Sequence, residues 1–148
     1  MLKGIHPLLT GDLLHALRGM GHFDEIAIVD ANFPAAGLGP PVIEMAGVSS
    51  PDMLAAVLTV FPLDSRVSPA VFTMQPQDDP ESVPEPVAEF ARAFAACGLA
   101  DCELGQLERH AFYDRARGAF AIVRTGELRS YGNILLVKGV VNRYPPAT

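Results

Sequence analysis

The run Glu25-Ile26-Ala27-Ile28-Val29-Asp30 does most to limit what this chain can fold into. It is short, apolar and rich in branched side chains, which reads as a buried strand ending at an acid. The segments around it alternate between strand and helix character. Before it, Leu13, Leu14 and Leu17 repeat at helical spacing between Thr10 and Met20, with Thr10 as N-cap, Asp12 in the first turn, and Gly19 and Gly21 as the stop. After it, Ala31 to Pro41 holds Gly37, Gly39 and three prolines and predicts an ordered loop, and Val42 to Ala46 predicts a weaker strand. Ser50-Pro51-Asp52 supplies an N-cap, a proline at the first helical position and an acid near the positive helix end, so a helix should run to about Val60.

The second half continues the alternation. Ala70 to Met74 reads as a strand, and the polar, proline-rich stretch from Gln75 to Pro86 as a surface excursion. Val87, Phe90, Ala91 and Phe94 predict a helix from about Pro84 to Cys97, ended by Gly98. Glu103 to Leu107 is a strand candidate, and Arg109 to Arg117 a short amphipathic helix with Phe112 and Ala116 on one face. Ala119 to Arg124 and Asn133 to Lys138 read as strands joined by a turn-rich connector. Alternation of this kind predicts one α/β domain over residues 1–148, a sandwich with helices covering a central sheet.

Composition narrows the function classes. Hydrophobic residues make up 49% of the chain, an apolar excess that in a small domain predicts a subunit interface. A net charge of -6 with scattered Lys and Arg argues against a nucleic-acid partner. No stretch approaches the roughly 20 apolar residues that span a bilayer, and no secretory signal pattern opens the chain, so a cytosolic protein away from membranes is expected. Cys97 and Cys102, separated by four residues and without further Cys or His at ligand spacing, predict reduced thiols and no metal site. Gly-rich phosphate loops and the Gly-x-Ser-x-Gly elbow are absent, which disfavours nucleotide and acyl-transfer chemistry.

What remains is a set of polar residues at element ends, where α/β sheets place their ligands. His22 lies in a turn between helix and strand and could exchange protons near neutral pH, although spacing alone favours a surface or capping role. Asp30 ends an apolar strand and must find donors or a wet pocket; a cap on the following loop is an even alternative. Arg109 opens a short helix, where an isolated arginine is usually solvated or ion-paired. Tyr131 and Asn133 flank Gly132 at a strand start, which an ordinary turn would also explain. His6, His15 and Tyr113 have similar standing.

Taken in order, these segments resemble the RbsD/FucU sugar-mutarotase family. The resemblance rests on Met1-Leu2-Lys3-Gly4-Ile5, Gly21-His22-Phe23-Asp24-Glu25-Ile26, Asp30-Ala31-Asn32-Phe33-Pro34-Ala35, Arg109-His110-Ala111-Phe112-Tyr113, Ala121 to Glu127, and Tyr131-Gly132-Asn133-Ile134-Leu135-Leu136. Arg109 and Tyr131-Gly132-Asn133 look like the L-fucose branch, whereas the ribose pyranase branch tends to carry histidine and Tyr-Ala-Asn. The chain departs from the pattern at Phe23, where a small residue is usual, and at Asn32, where histidine is frequent.

The resemblance implies a three-layer α/β sandwich assembled into pentameric rings that pair as decamers, with each site completed by a neighbouring subunit. It implies His22 as proton donor, and Asp30, Arg109, Tyr131, Gly132 and Asn133 as sugar contacts. The implied activity is mutarotation of a monosaccharide such as L-fucose without a cofactor. A pyranase-like activity on ribose and a non-catalytic sugar-binding or transport-accessory role are the alternatives.

Overall fold

A computed structural model describes residues 1–144. Six strands form one sheet: β1 (Glu25–Val29), β2 (Val42–Met45), β3 (Val71–Met74), β4 (Leu104–Leu107), β5 (Ala121–Thr125) and β6 (Ile134–Val137). Their order across the sheet is β2-β5-β1-β6-β3-β4. The pairs β2–β5, β5–β1 and β3–β4 are parallel, while β6 runs antiparallel to both β1 and β3. Five strands therefore point one way, with β6 reversed among them. The carboxyl ends of those five and the start of β6 share one edge of the sheet.

Helices cover both faces, giving the three layers expected. On one face α1 (Gly11–Gly19), α2 (Ser50–Leu58) and α3 (Glu85–Ala96) bury Leu13, Leu17, Met53, Leu54, Phe90 and Phe94 against Ile26, Ile28, Val71, Val123, Ile134 and Leu136. On the other, α4 (Arg109–Arg117) and the loop after β1 pack Phe112, Ala116, Phe33 and Ala35 against Ala27, Val29, Ile122 and Leu135. Alternate residues of β1 thus enter opposite cores, which is why its sequence reads as one continuous apolar run.

Local signals acted largely as their chemistry predicts. The Thr10 side chain caps α1 by accepting from the Leu13 amide at 3.3 Å. Gly98 follows α3 with φ +77°, a left-handed turn that glycine adopts without penalty. The expected cap of α2 is corrected by one residue. Ser49, not Ser50, accepts from the Asp52 amide at 3.2 Å, and Ser50 is inside the helix, fully buried with its hydroxyl unpartnered among the described residues. The last two strands are also shorter than predicted. Phe120 instead donates its amide to the Glu25 carbonyl, and Asn133 uses its side chain at the sheet edge.

Candidate functional site

Four of the predicted residues meet at the carboxyl edge of the sheet. Asp30 leaves the end of β1 and Asn133 stands just before β6, so the antiparallel pairing of these strands sets the two side chains against each other. Asn133 Oδ1 accepts from the Asp30 amide at 2.8 Å, and its Nδ2 donates to Asp30 Oδ2 at 3.0 Å. The other carboxylate oxygen, Oδ1, accepts from the Asn32 amide at 3.0 Å. Both residues are buried. Burial pushes the Asp30 carboxyl above its ordinary range; the bonds from Asn133 and the Asn32 and Phe33 amides pull it down in part, and the negative Glu127 nearby adds to the rise.

Around this pair lies a polar cavity of about 210 Å³, lined also by Asn32, Phe33, Met74, Tyr113 and Tyr131. That is below the roughly 300–1,000 Å³ of sites for drug-sized ligands and suits a small polar molecule. Two arginines reach the same cavity in different electrostatic states. Arg129 has its donors engaged by carboxylates, with Nε on Glu127, Nη1 on Glu89 and Nη2 on both. These bonds raise its pKa further and hold the carboxyls of Glu127 and Glu89 below the usual range. Arg109, at the first position of α4, keeps a buried Nε with no acceptor among the described residues. An unmet buried donor costs about 1–3 kcal/mol, so a ligand oxygen that accepts from it recovers that loss.

The segment from Glu127 to Asn133 is held by its neighbours. Ala31 donates its amide to the Glu127 carbonyl at 2.9 Å, and Arg129 ties the segment to α3. Gly132 passes so close that a Cβ there would stand 2.7 Å from Glu127 Cγ and 2.8 Å from Ser50 Oγ, so that only glycine fits. Tyr131 has φ +63°, and its hydroxyl accepts from the Gln77 amide at 3.0 Å. Gly132 thus supports the site by close packing; it does not line the cavity with a side chain.

His22 is elsewhere. It precedes β1 and Asp30 follows it, so the two lie at opposite ends of a strand, roughly 20 Å apart at 3.3 Å per residue. Within one chain the imidazole and the carboxylate do not meet. His22 instead lines a hollow with Arg18, Met20, Pro62, Lys138 and Val141. Its Nε2 lies 2.9 Å from Oδ1 of Asp64, whose carboxylate is buried and also accepts from the Arg66 and Val67 amides at 3.0 Å each. Burial alone would raise the Asp64 carboxyl, but the bonds from His22 and these amides hold it below the ordinary range. A carboxylate only accepts, so the shared proton is on Nε2, and Nδ1 is the ring nitrogen that Asp64 does not engage.

Asp64 is the site residue that sequence reasoning missed. It lies in an irregular segment, 42 residues from its partner, with no motif to mark it. The turn carrying His22 is firmly held. Gly21 donates to Asp24 Oδ2 at 2.7 Å, Phe23 donates to the Lys138 carbonyl at 2.9 Å, and Lys138 Nζ donates to the Leu17 and Met20 carbonyls at 2.8 and 2.6 Å.

Beside this hollow an apolar groove runs past Leu14, Leu17, Val60, Phe61 and Val141. It lacks the convergent polar groups of the Asp30 cavity. Among the described residues no cluster of His, Cys, Asp and Glu could hold a metal ion, and no helix is long and apolar enough to cross a membrane.

A three-layer α/β sandwich with one antiparallel strand among five parallel ones, and a small polar cavity at their carboxyl edge, defines a class of compact α/β proteins with a pocket for a small polar ligand. Within that class the chain belongs to the RbsD / FucU transport protein family, whose model matches residues 3–141. It is 37% identical to a fucose mutarotase from Streptococcus pneumoniae solved in complex with L-fucose, with 95% of this chain and 99% of that one covered and a TM-score of 0.88. FucU from Bifidobacterium longum is also 37% identical, over 93% and 99% of the chains, with a TM-score of 0.83. RbsD from Bacillus subtilis, complexed with D-ribose, is 24% identical over 95% and 98%, with a TM-score of 0.71, a likeness of fold alone.

Proposed function

We propose that the protein is a cytoplasmic mutarotase that interconverts the anomers of a monosaccharide of the L-fucose kind, and that each site is completed by a neighbouring copy. The observation that carries this reading is the Asp30–Asn133 pair in its polar cavity beside the unmet Arg109 donor, in a chain 37% identical to a protein described as a fucose mutarotase. Arg109 and Asn133 suit sugar hydroxyls and oxygens, and Tyr131 closes the cavity beside them.

Anomers exchange when a pyranose opens to its aldehyde. In the reaction proposed here, the imidazolium of His22 passes its Nδ1 proton to the ring oxygen while the Asp30 carboxylate takes the proton of the anomeric hydroxyl. The bond from C1 to the ring oxygen breaks as the carbonyl forms. Rotation about C1–C2 and the reverse transfers close the ring on the other face and restore both groups. Both steps are proton transfers, for which the chain's own groups suffice. Burial makes the Asp30 carboxylate a stronger base than an exposed one, which suits this role. A positioned acid–base pair contributes about 10²–10⁴-fold, enough for a reaction that already proceeds in water.

Because His22 and Asp30 occupy opposite ends of β1, the acid comes from a second copy on this reading. The apolar surface of the His22 end supports such a contact, with Val60, Val140 and Val141 all exposed there. Anomer exchange measured by NMR over L-fucose, D-ribose and D-galactose tests the activity and the sugar together. L-fucose should be accelerated most, and His22→Ala and Asp30→Asn should each abolish the acceleration. Mixing the two inactive variants tests the shared site: random exchange of copies should restore about a quarter of the wild-type rate. Loss of activity that mixing does not restore refutes the shared site. The separation of His22 from the cavity also favours a second reading, a non-catalytic sugar-binding protein, which predicts saturable binding with no accelerated exchange.

A further inference from the structure

Among the described residues, two that are not glycine have positive φ: Tyr131 in the Asp30 cavity and Phe23 beside His22. Phe23 has φ +70°, a conformation rarely adopted by a bulky side chain. Such strain persists only where the surroundings over-determine the backbone, and here they do: the Phe23 amide is bonded to Lys138, the Lys138 amide to the Asp24 carbonyl, and the Asp24 amide and carboxylate close back on Gly21. Successive side chains on an extended backbone point to opposite faces. The left-handed turn at Phe23 removes that alternation. Its ring lies on the His22 imidazole with centroids 3.7 Å apart and planes 20° from parallel.

Nothing in the core requires this ring, since Phe23 is 52% exposed and belongs to neither hydrophobic cluster. We propose that Phe23 is a positioning residue for His22, pressing on one face of the imidazole while Asp64 holds its Nε2, so that the ring is confined to one plane with Nδ1 presented for proton transfer. This rests on the mutarotase reading given above. Two restraints fix the ring more closely than one. A single hydrogen bond to Asp64 leaves the imidazole free to rotate about the N–H···O direction, and a face-to-face contact removes that freedom. Geometry this close to a proton transfer matters, because a displacement near 1 Å can lower a rate by about 10²-fold.

The test compares Phe23→Gly, which accepts φ +70° without strain and therefore folds, with Phe23→Tyr, which keeps the ring. Phe23→Gly should lower kcat for L-fucose exchange by about 10- to 100-fold with KM within about twofold, and should not lower Tm. Phe23→Tyr should recover most of the rate. In the wild type the His22 ring protons should carry the upfield shift of a stacked aromatic and should move downfield in Phe23→Gly. A folded Phe23→Gly protein exchanging at the wild-type rate overturns the proposal, as does a rate that returns simply on raising the protein concentration, which would make Phe23 an assembly contact. Wild-type protein without accelerated exchange would instead overturn the mutarotase reading. The NMR comparison then still decides whether Phe23 holds the imidazole, since unmoved His22 resonances refute it.

Discussion

Asn133 grips both ends of one residue: its amide oxygen takes the backbone N–H of Asp30, and its amide nitrogen donates to the carboxylate of the same side chain. Truncation to Asn133→Ala leaves a buried N–H and a buried carboxylate oxygen each short of a partner. Urea denaturation at neutral pH should show a loss of about 2–3 kcal/mol, with sugar affinity falling in parallel. A loss under about 0.5 kcal/mol would mean that water enters the site and replaces both bonds.

The Asp30 carboxyl also gives stability a particular pH dependence. Its folded pKa is raised above the unfolded value of about 3.9, so between the two the native state holds the extra proton. The corresponding stability is complete below the unfolded value and is lost as pH rises through the folded one. Asp30→Asn lacks this dependence. Its stability relative to wild type should therefore increase as pH climbs from about 4 toward neutrality. Parallel stability curves for the two proteins across that range would contradict the raised pKa.

Arg129 serves as a strut. Replacing it with alanine strands the carboxylate of Glu127, only 4% exposed, and releases the connector before β6 from α3. Breaking a fully buried pair costs about 3–5 kcal/mol; with the Arg129 side chain 34% exposed, about 2 kcal/mol is expected. The wild-type contribution of Glu127 and Glu89, whose carboxyls are held low, is present above the ordinary carboxylate range and fades as pH falls through their folded values. Arg129→Ala should flatten that acid-side decline, read by thermal melts from neutral pH downward.

Asp64→Asn tests the partner of His22. The amide cannot hold the Nε2 proton as a carboxylate does, so both tautomer and orientation are released, and anomer exchange should fall by about 10²–10⁴-fold. KM should change little, because the Asp30 cavity is untouched. A variant retaining more than about half the activity would show that Asp64 serves the turn alone.

Most of the architecture could be read from the sequence because each element carries its own local signal. A branched apolar run gave β1, and periodic leucines and phenylalanines gave α1 and α3. The α2 cap moved by one residue because Ser49 and Ser50 are equivalent in sequence, and packing chose which hydroxyl is buried. The candidate site was legible where strand ends carry polar residues, as at Asp30 and Asn133. Asp64 was not, because its partnership with His22 is a tertiary contact between irregular segments. The placement of His22 and Asp30 at opposite ends of β1 was legible, because one stands in the turn before the apolar run and the other ends it.

The placement of His22 and Asp30 at opposite ends of β1 gives each molecule a polarity, with an imidazole at its head and a polar pocket at its foot. On the shared-site reading, copies joined head to foot in an open row would leave one idle imidazole and one unserved pocket at the row's extremities. Closing the row on itself removes both, so on the shared-site reading a closed ring has as many working centres as it has molecules.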